Sequence, residues 1–162
     1  MSSVGLERLL PELPLEVERL YFEPDGTFPN HEADPLKREN LDDVIAAVKK
    51  SGAQLGVAFD GDGDRAMFVD ELGEPVSADL MTGLLARAML HAHPGGRVLY
   101  DLRSSRATAE AIAEAGGVPE MCRVGHAFIK AQMRESGAIF AGELSGHFYF
   151  RDFWFADSGM LA

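Results

Sequence analysis

A chain of 162 residues, 46% of them apolar, holds enough hydrophobic material for one ordinary core or two small ones, which excludes a disordered tail. Its 26 acidic residues against 15 basic ones leave a formal net charge of -11, which excludes a surface built for nucleic acid or anionic lipid. The one cysteine, Cys122, has no partner for an internal disulfide, and no secretory leader or apolar run of ~20 residues is evident, so a cytoplasmic protein with no membrane contact is expected.

In chain order, a short apolar-periodic segment around "LERLL" leads to "VERLYF", which reads as a strand. Pro24, Gly26, Pro29 and Pro35 then punctuate a long loop. "LDDVIAAVKKSG" places Leu41, Val44, Ile45 and Val48 at helical spacing, with a lysine pair in the last turn and Gly52 just beyond, and predicts a helix. "QLGVAF" reads as a buried strand, and "RAMFVDELGEPVS" as a second strand with a turn around Gly73. A helix over "ADLMTGLLARAMLHA", a strand "RVLYDLRSS", a helix "RATAEAIAEAGG", a strand "MCRVG", a helix "HAFIKAQMRESG" and a strand, loop and strand over "AIFAGELSGHFYF" follow. Strands alternating with helices from Leu41 onward predict an α/β protein with mixed, largely parallel sheets and flanking helices. The closing "DSGMLA" resembles the opening of a helix, as in a fragment of something larger.

Between the first two of these strands lies "FDGDGDR". Glycine weakens both helix and strand, and three neighbouring carboxylates repel, so Asp60, Asp62 and Asp64 require a compensating charge. A hard divalent cation supplies it. Mg²⁺ takes oxygen ligands and keeps positions open for water or phosphate, and Arg65 next in line has the planar fork that suits a phosphate oxygen. A solvated acidic turn is the plainer alternative, but it needs fewer carboxylates. A calcium hand would place Asp60, Asp62, Asp64 and Glu71 at its liganding positions, yet it wants glycine where Arg65 stands and helices where the flanks are strands.

Two further constellations lie downstream. In "FAGELSGHFYF", Glu143, Ser145 and His147 alternate, so an extended segment would send them to one side, and a carboxylate beside a hydroxyl suits neighbouring sugar hydroxyls. Taken singly, each is better explained by solvation on the exposed side of a strand. "RVGHAFIK" sets His126 and Lys130 one turn apart at a helix start, where an anion could meet cations and amides; the alternative is a solvated lysine and a histidine that caps or packs.

"GVAFDGDGDR", "GHAFIK" and "GELSGH", in this order, resemble the metal loop, the ligand-binding helix start and the sugar-recognition loop of the α-D-phosphohexomutases. "DGTFPNHEADPLKRENL" resembles the loop that precedes the metal site in these enzymes, with "NHEADP" in place of the more usual "NHHPDP". The resemblance runs from about Phe22 to the last residue. It implies a Mg²⁺ enzyme that moves phosphate between the 1- and 6-positions of a hexose through a bisphosphorylated intermediate. By match, Asp60, Asp62 and Asp64 resemble the Mg²⁺ ligands, Arg65 the residue steadying the transferring phosphate, and Glu143 and Ser145 the pair that grips sugar hydroxyls. His126 falls where the family has a substrate-contacting and catalytic group, and Arg103, Lys130 and His147 are further candidates for substrate contact; bacterial members often carry lysine at the Arg103 position.

The family's phosphoserine motif, similar to "TASHNP", and its final basic phosphate clamp do not occur in these 162 residues. The resemblance therefore implies two consecutive partial or near-complete domains: residues 1–77, the latter part of the second domain with the metal loop, and residues 78–162, most of the third with the sugar loop. Leu144, where the glucosamine branch tends to have Gln, favours a phosphomannomutase/phosphoglucomutase fragment over a phosphoglucosamine mutase fragment. A non-catalytic acidic module binding a divalent cation or sugar phosphate is the reading from a different class. The isolated chain is expected to be inactive without its missing domains and to bear exposed apolar faces that favour self-association.

Overall fold

The computed structural model describes residues 2–162. The opening apolar segment is helix α1 (Ser2–Leu9), which buries Leu6. Residues 13–37 carry no helix or strand. The strand expected over "VERLYF" does not form: Val17 and Tyr21 stay exposed and Tyr21 turns to a φ of 53°, so its hydroxyl donates to Asp43 at 2.7 Å instead of joining a sheet. Alternating apolar residues make a strand only where a neighbouring strand accepts their backbone.

Helix α2 (Asp42–Ser51) forms as its pattern predicts, with two aspartates in its first turn, two lysines in its last and Gly52 closing it in the left-handed region at φ 71°. It covers an antiparallel sheet of β1 (Leu55–Phe59), β2 (Ala66–Asp70) and β3 (Pro75–Val76), in that order. Contact is close: a methyl placed on Gly56 of β1 would lie 2.8 Å from both Val44 and Val48 of α2, so only glycine allows the helix to seat there. Leu55 and Val57 of β1 remain exposed.

The second half alternates α3 (Ala78–Ala92), β4 (Arg97–Asp101), α4 (Arg106–Glu114), β5 (Val118–Cys122), α5 (His126–Ser136), β6 (Phe140–Gly142), β7 (Phe148–Phe150) and β8 (Ala156–Asp157). Its sheet runs β5-β4-β6-β7-β8. The α/β class with mixed sheets and flanking helices is as expected, but parallel pairing is confined to β5, β4 and β6; β7 and β8 return antiparallel, as does the whole first sheet. The strand expected at "MCRVG" begins earlier, at Val118, because β5 is an edge strand and tolerates Pro119, which lacks the amide an interior strand would need.

The two faces of this sheet follow the two-residue period of its strands. Val98, Phe140, Phe148 and Phe150 face α3 and α4, and Ala66 and Phe68 of the first sheet join the same core. Leu99, Ala141 and Tyr149 face the other way, onto Ile129 and Met133 of α5. Asp79, 6% exposed, ties two helix starts together: it accepts from Ser77 and from the amides of Leu80 and Ser105, both at 2.9 Å. Among the described residues no helix is long and apolar enough to cross a membrane.

Candidate metal centre

The acidic loop leaves β1 and returns into β2, and its first carboxylate is the most constrained. Asp60 is 4% exposed; its Oδ1 accepts from the amides of Gly63 at 2.9 Å and Arg65 at 3.2 Å, and its Oδ2 from Arg65 Nε at 2.6 Å. Burial works against its charge, but the bonds from Arg65 outweigh it and hold the carboxyl below its ordinary range. Gly63, at φ 81°, makes the reversal that points the Asp60 side chain back under the loop. Asp64 is in the opposite situation: burial, then Asp60, Asp62 and Asp157, push its carboxyl up to about 7.

Asp60, Asp62 and Asp64 each present an oxygen, and the three atoms lie within 4.8 Å of one another. An octahedral Mg²⁺ with ligands at about 2.0–2.1 Å wants its oxygens roughly 2.9–4.1 Å apart, so a small inward movement of Asp62 and Asp64 completes a three-carboxylate face. The donor set is all oxygen, which suits a hard cation, and a cation there would offset the charge that burial and the neighbouring carboxylates disfavour at Asp64.

Arg65 does not extend into solvent. Besides Asp60 its guanidinium reaches Asp34 at 3.2 Å, a residue from the long loop, and these two carboxylates, once burial of the guanidinium is offset, keep it firmly charged. That ion pair fastens residues 31–37 beside the acidic loop.

The sugar-loop candidate stands directly alongside. Arg65 and His147 form an antiparallel bridge, and the Ala66 amide donates to Gly146 O at 3.0 Å, so the two sheets meet here. Residues 143–147 are not extended: Glu143 N–H donates to His147 O at 2.9 Å, Gly146 N–H returns to Glu143 O at 3.0 Å, and Gly146 has φ 84°. Glu143, Ser145 and His147 therefore converge through a tight turn, not through strand alternation. Ser145 Oγ and His147 Nδ1 are 2.9 Å apart, His147 Nδ1 lies 3.5 Å from Glu143, and Nε2 lies 3.6 Å from Asp64. Burial pushes the His147 pKa down.

Glu143 is 3% exposed and accepts from the Gly125 amide at 3.1 Å and the Tyr149 hydroxyl at 2.6 Å. Arg103 sits 3.9 Å from Glu143 but is chiefly bound to Asp101 at 2.6 Å; Asp101, fully buried, also accepts from the Leu144 amide at 2.8 Å. Lys130 is partly buried and pairs with Asp157 at 2.8 Å. His126 opens α5, is exposed, and makes no hydrogen bond or ion pair among the described residues. The structure thus brings together Asp60, Asp62, Asp64, Arg65, Glu143, Ser145 and His147, with Arg103 and Lys130 at their margins and His126 at the rim. Sequence reasoning missed Asp34, Asp101, Tyr149 and Asp157, although Asp34 stands in the quoted "NHEADP" and Tyr149 is the penultimate residue of "FAGELSGHFYF".

The α/β scaffold thus sets an acidic loop, able to offer three carboxylate oxygens, against a carboxylate-hydroxyl-imidazole turn. Residues 1–73 match the family model described as phosphoglucomutase/phosphomannomutase, alpha/beta/alpha domain II, and residues 77–162 match that for alpha/beta/alpha domain III. The chain belongs to the phosphoglucomutase/phosphomannomutase family. It is 47% identical over 160 residues to a relative from Xanthomonas campestris pv. campestris (strain B100) named "Phosphohexose mutases", covering 99% of this chain and 36% of the relative. It is 47% identical over 148 residues to a "Phosphomannomutase" of Escherichia coli (strain K12), covering 91% of this chain and 32% of that protein. A crystal structure of a phosphoglucomutase/phosphomannomutase family protein from Burkholderia thailandensis superimposes with a TM-score of 0.92 at 42% identity, covering 98% of this chain and 35% of that one. The chain therefore spans about a third of the length of these relatives.

Proposed function

We propose that this chain supplies the metal loop and the sugar-recognition turn of a Mg²⁺-dependent phosphohexomutase that interconverts hexose 1-phosphate and hexose 6-phosphate through a bisphosphorylated sugar. The observation that carries the reading is the Arg65–His147 bridge, which holds the three aspartates beside Glu143 and Ser145. Asp60, Asp62 and Asp64 would hold Mg²⁺, which supplies neutralisation of phosphate charge when bound. Arg65, fixed by Asp60 and Asp34, keeps the loop in register and presents the rest of its fork to a phosphate oxygen. Glu143 accepts from sugar hydroxyls and Ser145 donates, while His147, its pKa lowered by burial, offers a neutral imidazole between the sugar turn and the metal loop. Arg103, Lys130 and His126 line the approach.

Hexoses of the mannose/glucose type are the proposed substrates, supported by Leu144 in the turn and by the name of the E. coli relative. The phosphoserine that donates and regains phosphate would come from protein outside these residues. Phosphoryl transfer rests on positioning around an in-line path, so the purified chain is expected to bind hexose phosphate weakly and to turn none over. The test is a ¹⁵N NMR titration with mannose 1-phosphate, glucose 1-phosphate and glucosamine 1-phosphate in Mg²⁺. Shifts centred on Arg65 and residues 143–147, strongest with the first two sugars, support the proposal; shifts elsewhere, or conversion to 6-phosphate by the chain alone, reject it.

A further inference from the structure

Glu143 must present its carboxylate to a ligand while almost wholly enclosed, and the side chain that orients it is Tyr149 of β7. Tyr149 is fully buried, and its hydroxyl donates to Glu143 Oε2 at 2.6 Å while the Gly125 amide donates to Oε1 at 3.1 Å. One bond on each oxygen fixes the tilt of the carboxylate plane and leaves a further acceptor direction on each for a ligand's hydroxyl. The same phenol ring lies 5.6 Å from the Lys130 ammonium and 6.2 Å from the His147 ring, centre to centre. Lys130 and His147 meet the ring, and Glu143 meets the hydroxyl.

Resting on the proposed function of the 143–147 turn, we infer that Tyr149 is a positioning residue for sugar recognition: its hydroxyl sets Glu143 for a hexose's hydroxyls, while its ring packs beside Lys130 and His147. Burial and the Glu143 carboxylate push the Tyr149 pKa up, so the phenol remains a donor throughout the neutral range. Among the described residues no nearer side-chain donor replaces it, since His147 stands 3.5 Å and Arg103 3.9 Å from Glu143. A buried carboxylate oxygen that loses its donor turns toward another partner and away from the geometry a diol needs.

The division of labour makes a selective prediction. Tyr149→Phe keeps the ring beneath Lys130 and His147 and deletes only the bond to Glu143, so binding of the sugar weakens and binding of phosphate alone does not. The dissociation constants of glucose 1-phosphate and of inorganic phosphate are measured by NMR for the wild-type chain and for Tyr149→Phe, in the same Mg²⁺ buffer. The expected result is a loss of about tenfold or more for glucose 1-phosphate, as for a hydrogen bond to a charged group, with inorganic phosphate unchanged. Retained phosphate binding also reports that the variant is folded. Equal affinity of variant and wild type for glucose 1-phosphate overturns the inference, as does a parallel loss of both ligands. A wild-type chain that binds phosphate but not glucose 1-phosphate rejects the proposed sugar role of the turn itself, and the inference falls with it.

Discussion

Gly159 offers the sharpest perturbation of the acidic loop because the atoms nearest a methyl added there are all loop backbone. Its amide donates to Gly63 O at 3.2 Å, and a methyl built on its Cα would lie 2.7 Å from Arg65 O, 2.8 Å from Arg65 C and 3.1 Å from Gly63 O. No side-chain rotation relieves a clash with main-chain atoms. Carbon–oxygen contacts settle at about 3.3–3.6 Å, so Gly159→Ala must displace the loop by roughly 0.6 Å. Overpacking of this kind costs about 1–3 kcal/mol. A displaced loop carries Asp62 and Asp64 away from the positions from which they close on a cation, so divalent-cation affinity should fall by about tenfold, a difference of about 1.4 kcal/mol. Urea denaturation gives the first quantity, and Mn²⁺-induced NMR relaxation gives the second. Gly26→Ala is the control, since nothing lies within 4 Å of its added methyl. A Gly159→Ala chain with wild-type denaturation midpoint and wild-type Mn²⁺ affinity would refute the claim that the loop's backbone position sets the metal site.

Further outcomes follow from the packing. Burial opposes the charge of Asp79, but bonds from Ser105, Ser77 and the Leu80 amide outweigh it and lower its pKa from 3.8. A carboxyl lowered by folding contributes stability that is complete above its unfolded value and is lost as pH falls through the folded one. Asp79→Asn should therefore destabilise the chain by ~1–3 kcal/mol at neutral pH, with the gap to wild type closing in acid; thermal melts across the pH range check both. Gly142→Ala would drive a methyl into the fully buried Thr82 side chain and shift the end of β6, from which the Glu143 turn departs. A loss of ~1–3 kcal/mol in urea denaturation is expected, together with displaced amide resonances at Leu144 and Ser145.

What the sequence makes legible is what lies close along the chain. The acidic loop packs its ligand candidates into five residues, and the Glu143–His147 turn is equally local, so chemistry and spacing suffice to find both. Helix α2 is readable because its apolar period, its charged ends and Gly52 agree. The failures depend on distant partners. Nothing near Asp34 says that Arg65, 31 residues on, will claim it, and Lys130 and Asp157 are separated by 27 residues. Asp101 and Tyr149 sit in apolar strands where a buried carboxylate or phenol looks like any other core position until the sheet brings Leu144 and Glu143 over it. "VERLYF" has strand composition but no strand beside it, and β5 starts before Pro119 only because its outer edge is open.

The direct trial of the account is the position of a bound cation. Crystals of this chain soaked in a manganese salt should give an anomalous scattering peak enclosed by Asp60, Asp62 and Asp64, with oxygen distances of about 2.0–2.2 Å. A peak held instead by Asp64, His147 and Asp157, whose ligand atoms also lie within 4.8 Å of one another, or no peak among the aspartates at all, would contradict it.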